Sequence, residues 1–150
     1  MAEHDRAVKL LDKCRPPTSH QLAKAEAALH RALAADVTHG PAHNTLGKVY
    51  YLQDRFYVAA WEFEYATKVM PGRSEPVNNL GMVYEAVGKF DQALEAYEAA
   101  FTMDPQNPEV LGNLARCHLR RGDPADEIGR QDCVVVEASR VLFQNAGQRT

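Results

Sequence analysis

The chain has 150 residues, 45% of them hydrophobic and 25% charged, with a formal net charge of −3. That size supports one domain with a real core. So weak an acidity gives no general attraction to DNA, RNA or anionic lipid, and no apolar run approaches the roughly 20 residues that span a bilayer. Neither nucleic acid nor membrane is therefore expected as a partner.

The opening segment "MAEHDRAVKLLDKC" is charged throughout and lacks the apolar stretch of a secretory signal, so a cytoplasmic protein is expected. Pro16 and Pro17 require any helix before them to be short and to stop near Arg15. Thr18 and Gln21 then offer a capping box, and Ala25, Leu29 and Ala32 recur behind it at helical spacing.

From Asn44 to Pro71 the chain reads "NTLGKVYYLQDRFYVAAWEFEYATKVMP". The stretch from Asn78 to Pro105, 34 residues on, repeats its pattern as "NNLGMVYEAVGKFDQALEAYEAAFTMDP". In the first copy Leu46, Val49 and Tyr50 predict one helix, and Phe56, Ala59, Ala60, Phe63 and Ala66 predict a second. The second copy answers with Leu80, Val83 and Tyr84, then Phe90, Ala93, Leu94, Tyr97 and Ala100.

Between the two helices of the second copy Gly88 suits a left-handed helix end; Asp54 fills that place in the first copy and tolerates it less well. Each copy thus reads as two antiparallel helices joined by a tight turn. Gly47 and Gly81 lie mid-helix, at a cost of about 1 kcal/mol each against alanine. This marks a close helix approach, with Ala59 and Ala93 expected to face the glycines. Pro71 and Pro105 close the second helices, while Ser74, Asn107 and, more weakly, Gly40 are the expected caps of the first helices.

A third copy starts at Pro108, with Leu111, Leu114, Ala115, His118 and Gly122 in phase. Its second helix departs from the pattern, with Pro124, Glu127 and Gln131 where Phe90, Ala93 and Tyr97 stood. In the tail, Val134–Val136 suit a strand as well as a helix. A closing helix would place Glu137, Arg140 and Gln144 outward and Val134, Val141 and Leu142 inward; the alternatives are a partly disordered tail or one that pairs with another chain. The resulting division of the single domain is a partial repeat at 18–39, repeats at 40–73 and 74–107, a divergent repeat at 108–141 and a tail at 142–150.

Little in the chain suggests chemistry. Cys14, Cys117 and Cys133 are odd in number and widely spaced, and read as buried or half-buried thiols. His39 and His43 are four apart, but Gly40 and Pro41 intervene, so no metal site is expected. His118 occupies a core place, and "RGD" at Arg121–Asp123 falls at a helix-to-helix turn. There is no phosphate loop, dinucleotide turn or Ser/His/Asp set, so neither a cofactor nor an enzyme is expected. Glu62, Glu64, Glu95 and Glu98 read as outward helix charges. Tyr57, Trp61 and Tyr65 lie outside the repeating places and would either pack on a neighbouring copy or form a contact patch.

The repeating letters resemble the tetratricopeptide repeat family. They are His43, Leu46, Gly47, Tyr50, Ala59, Phe63, Ala66 and Pro71 in one copy, and Val77, Leu80, Gly81, Tyr84, Ala93, Tyr97, Ala100 and Pro105 in the next. The resemblance covers roughly residues 18 to 123. It implies an all-α fold of stacked antiparallel helix pairs forming a right-handed superhelical solenoid. It also implies a non-enzymatic module whose first helices line a concave groove for an extended peptide or helix of a partner protein.

Helix geometry names the groove positions: Asn44, Lys48 and Tyr51, then Asn78, Met82 and Glu85, then Gly112, Arg116 and Leu119, with Asn79, Asn113 and Arg120 beside them. Amides there could hold a peptide main chain, or could simply be solvated. On either reading, replacing Asn79 and Asn113 by Ala should leave melting nearly unchanged. Lys48 and Arg116 could meet a ligand carboxylate or lie free.

The pattern by which some family members clamp chaperone C-termini is not matched. Asn44 and Lys48 invert its first pair, and Glu109 and Asn113 spoil its third. A second function is self-association into a homodimer through the aromatic residues of the first copy and the C-terminal valines.

Overall fold

The computed structural model describes residues 2–11 and 16–122, and within them the regular structure is helix alone. The seven helices are α1 (Ala2–Leu11), α2 (Ser19–Ala35), α3 (Gly40–Leu52), α4 (Phe56–Val69), α5 (Ser74–Ala86), α6 (Phe90–Met103) and α7 (Pro108–Arg121). The 34-residue period is carried into the boundaries. α3, α5 and α7 start at Gly40, Ser74 and Pro108, and α2, α4 and α6 end at Ala35, Val69 and Met103. Short turns make consecutive helices antiparallel. α1 packs on α2, α3 on α4 and α5 on α6; each pair then stacks on the next, and α7 closes on α6. The half copy read at 18–39 therefore has its partner helix in α1.

One core cluster includes Leu22, Leu29, Leu46, Val49, Tyr50 and Phe63; a second includes Leu94, Tyr97, Leu111, Leu114 and Cys117. The mid-helix glycines do mark close approaches, but rings rather than alanines lie over them. A Cβ on Gly47 would stand 2.6 Å from the Phe63 ring, and one on Gly81 would stand 2.7 Å from the Tyr97 ring. Ala59 and Ala93 are fully buried, and each lies one turn before the ring that covers the glycine.

Most helix ends follow their side chains. Thr18 and Gln21 form the expected box, with Thr18 N donating to Gln21 Oε1 at 2.9 Å and Gln21 N to Thr18 Oγ1 at 3.3 Å. Asn107 caps α7 by accepting from Glu109 N at 3.0 Å. Two expected caps are displaced. His39, not Gly40, caps α3, its Nδ1 accepting from Ala42 N at 3.0 Å, so Gly40 is the first helical residue. α5 begins at Ser74 itself after Arg73, with no side-chain capping bond. Gly88 and Asp54 both take positive φ, +80° and +58°, as the turn requires, and the non-glycine bears the strain.

Glu64, Glu95 and Glu98 are exposed, but Glu62 is not an outward charge: it is buried, with its Oε2 2.6 Å from His43 Nδ1. His43 Nε2 donates to the Val37 carbonyl at 2.8 Å, so this ring ties α3 to α4 and to the turn after α2. His118 is buried in α7 and so is Cys117, whose thiol burial pushes up to about 11. The second helix of the divergent repeat, with Pro124, Glu127 and Gln131, lies outside the described residues, as do Cys14, Cys133, Asp123, Val134–Val136 and the tail at 142–150.

Candidate functional site

α1, α3, α5 and α7 touch in series, forming one layer of the stack, while α2, α4 and α6 form the other. Polar side chains cross between neighbouring helices of the first layer. Asn79 Nδ2 donates to Asn44 Oδ1 at 2.9 Å, and Asn113 Nδ2 donates to Asn78 Oδ1 at 3.0 Å. His4 Nε2 meets Thr45 Oγ1 at 3.0 Å between α1 and α3. The four asparagines are 2–5% exposed. They are therefore not solvated: each joins one first helix to the next, and Asn79 also lines a hollow in this layer. Asn78 Nδ2 also reaches Glu109 Oε1 at 3.4 Å.

Lys48 pairs with Glu75 on the next first helix. Burial works to raise the Glu75 carboxyl, but hydrogen bonds from Lys48 and Asn44 overcome it and hold the group below its ordinary value.

Beside the asparagine rungs the layer opens into a hollow of about 220 Å³. Its walls are mainly apolar, supplied by Tyr51 and Leu52 of α3, Phe63 of α4 and Met82 of α5, with Lys48, Asn79 and Glu109 as its polar lining. Tyr51 packs edge-on against Phe56 at a ring separation of 5.6 Å, which fixes one wall. Burial pushes the Tyr51 phenol above its ordinary value, and the Glu85 carboxylate adds to that.

One helical turn beyond Met82 lies Glu85. Its side chain is only 3% exposed, and both oxygens are taken. Arg116 donates from Nε to Oε1 and from Nη2 to Oε2, each at 3.1 Å; Arg120 donates from Nη1 to Oε1 at 2.9 Å; Tyr97 Oη donates to Oε2 at 2.8 Å. Burial works to raise the Glu85 carboxyl, but bonds from Arg116, Tyr97 and Arg120 hold it below its usual range. Burial, then the bond to Glu85, drives the Tyr97 phenol far up. The two arginines keep about half of their side chains open to solvent.

The positions named from the sequence thus divide. Lys48, Tyr51 and Met82 line the hollow, and Arg116 and Arg120 stand at one end, while Asn44, Asn78, Asn113 and Glu85 are buried in contacts between helices. Asn79 does both. Sequence reasoning missed Leu52, Phe63 and Glu109 as lining residues. Leu52, being large, apolar and at the end of the groove helix, carried a readable signal; Phe63 was assigned wholly to the core.

On the opposite layer, Tyr57 is 83% and Trp61 61% exposed, and Trp61 stacks on Tyr65 at 6.2 Å. Among the described residues no group of three or more His, Cys, Asp or Glu could hold a metal ion, and no helix is long and apolar enough to cross a membrane.

Paired helices stacked at a constant period, with one layer hollowed, define a helical-repeat solenoid. The family model described as Tetratricopeptide repeat matches residues 84–126, and the helix pairs on either side repeat at the same period, so the chain is similar to that family.

Among curated proteins it is 35% identical over 60 residues to Photosystem I assembly protein Ycf3 of Synechococcus sp. (strain CC9311), covering 40% of this chain and 35% of that one. It is 37% identical over 65 residues to the Tetratricopeptide repeat domain-containing protein PYG7, chloroplastic, of Arabidopsis thaliana, covering 43% of this chain and 22% of that one. The aligned parts thus span about a third or less of these relatives' length.

Among solved structures, MamA protein superposes with a TM-score of 0.75 at 20% identity, over 92% of this chain and 72% of that one. The first tetratricopeptide domain of Spaghetti (RPAP3), bound to the HSP90 peptide SRMEEVD, superposes with a TM-score of 0.71 at 16% identity, over 81% and 92%. At such identities the likeness is one of fold.

Proposed function

We propose that this chain is a non-enzymatic interaction module that holds a segment of a partner protein against the first-helix layer. The observation that carries the reading is the largely apolar hollow between α3 and α5, walled by Tyr51, Leu52, Phe63 and Met82. Concave apolar surface with a few placed polar groups is where proteins receive ligands. Two likenesses support it: one curated relative, Ycf3, is named as an assembly protein, and a structure of the same fold is described with a peptide bound.

The test is capture of partners from native lysate by the wild type, Met82→Asp and Trp61→Ser, after melting shows each variant folded. The groove reading expects capture to fall with Met82→Asp and to survive Trp61→Ser. The reverse pattern overturns it.

A second reading, self-association through the opposite layer, is favoured by the exposed Tyr57 and Trp61. Aromatic residues of this kind anchor protein interfaces. Light scattering across a concentration series decides it: a strict monomer at high concentration removes it.

A further inference from the structure

The rungs between first helices have a consequence for how any ligand is gripped. Asn79 Nδ2 is engaged by Asn44 and Asn113 Nδ2 by Asn78, and all four side chains are buried. The amides that could have held a peptide main chain are therefore occupied within the protein. The groove still offers an apolar hollow and, one turn along α5 from Met82, the two arginines gathered on Glu85.

Two guanidinium groups share one carboxylate there, leaving a surplus of one positive charge. Glu85 is buried, so the surplus is presented by the half-exposed arginines. A guanidinium has five N–H donors. Arg116 uses Nε and Nη2 on Glu85 and Arg120 uses Nη1, so each retains nitrogen edges that can meet another acceptor.

The remaining charges along this layer are differently placed. Lys48 is paired with Glu75, and Glu109, which lines the hollow beside Asn79, lies at the opposite end of α7 from Arg116 and Arg120. Among the described residues the groove is therefore positive at the Arg116 and Arg120 end and acidic at the Glu109 end.

Resting on the groove reading above, we propose that recognition runs through ligand side chains. The ligand is an extended peptide segment with a large apolar residue for the Tyr51–Met82 hollow and an aspartate or glutamate for Arg116 and Arg120. The spacing follows from the helix. Met82 and Glu85 are three residues apart, about 4.5 Å along the axis, and an extended chain advances about 3.3 Å per residue. The acid therefore stands one or two residues from the apolar anchor. Arginine suits the task because its fork can hold Glu85 on one edge and a ligand carboxylate on another.

The experiment selects phage-displayed random dodecapeptides on the whole chain and then measures one enriched peptide by calorimetry. Enrichment of Leu, Met or Phe with Asp or Glu one or two positions away is expected. Changing that acid to its amide should weaken binding about tenfold or more. Arg120→Gln, which leaves the two-pronged Arg116–Glu85 contact in place, should cost a similar factor, and the two changes together little beyond either alone. Binding of the acidic peptide should also weaken with added salt while its amide form is indifferent, a readout that needs no variant.

Peptides lost with Met82→Asp but indifferent to their acid, to salt and to Arg120→Gln overturn this inference and leave the groove standing. No enrichment, or binding untouched by Met82→Asp in a folded variant, overturns both.

Discussion

Asn79 and Asn44 are 35 residues apart, one more than the repeat, and their side-chain amides meet at 2.9 Å between α5 and α3. Asn113 and Asn78 reproduce the contact one repeat later. Each rung is buried, so an amide oxygen that loses its rung donor has little access to water in exchange.

Asn79→Ala should therefore destabilise the chain by about 1–3 kcal/mol, since Asn44 Oδ1 loses its donor. Near-neutral melting, as expected for an exposed residue, belongs to a site this structure does not have. Asn44→Ala with Asn79→Ala should cost less than the sum of the singles, and denaturant titration of all four proteins checks it.

Gly81→Ala places a methyl against the Tyr97 ring, which cannot swing aside because its hydroxyl is bonded to Glu85. A cost of about 1–3 kcal/mol is expected, against a gain of roughly 1 kcal/mol if helix propensity alone decided. Gly81→Ala together with Tyr97→Leu should recover part of the loss. A stabilised single variant would show that the ring yields.

Glu85 should leave a mark on acid stability. Its folded carboxyl lies below the ordinary value because its bonds to Arg116, Tyr97 and Arg120 outweigh burial. The stabilisation is then complete above the unfolded-chain value of about 4.3 and is lost as pH falls through the lower folded value. Glu85→Gln should be less stable than the wild type near neutrality, with a shallower decline below pH about 4. Glu26 and Glu75 are also held low, so some acid sensitivity persists. Urea titrations from pH 7 down to 3 would compare the slopes; identical slopes would remove Glu85 as a contributor.

His43 and Glu62 form a buried pair between α3 and α4, 5% and 7% exposed. Glu62→Ala should cost about 1–3 kcal/mol because His43 Nδ1 is left buried without its partner. His43→Leu with Glu62→Leu should be milder, since neither member of the pair is left alone and only the bond to the Val37 carbonyl is lost. Thermal melts of the two variants check the order.

The helix pairs and their boundaries could be read from the sequence because apolar spacing, turn residues and a constant period all agree. What lies across a gap could not. Gly81 announces a close approach, yet only the path of the Tyr97 side chain decides that a ring, not Ala93, closes over it. The asparagines were legible as unusual in a helix, and the recurring separation of 35 was a signal for pairing between repeats, but period-matching looks along 34. Glu62 looked like a surface charge; a histidine in a bulky core place opposite an acid was the clue that it was not. Arg116 and Arg120 were readable as positions, but their gathering on one carboxylate was not, because it depends on α7 lying beside α5.

At the place held by Asn44 and Asn78 the third unit has Gly112, which is exposed and, among the described residues, has nothing within 4 Å of where a Cβ would stand. Among the described residues the ladder thus climbs from α3 to α7, and Gly112 brings no side chain for a rung above. An engineer wishing to lengthen the array by grafting another copy of 74–107 beyond α7 would have to write in Gly112→Asn first; without it, the added helix would dock on shape alone and be free to slide in register.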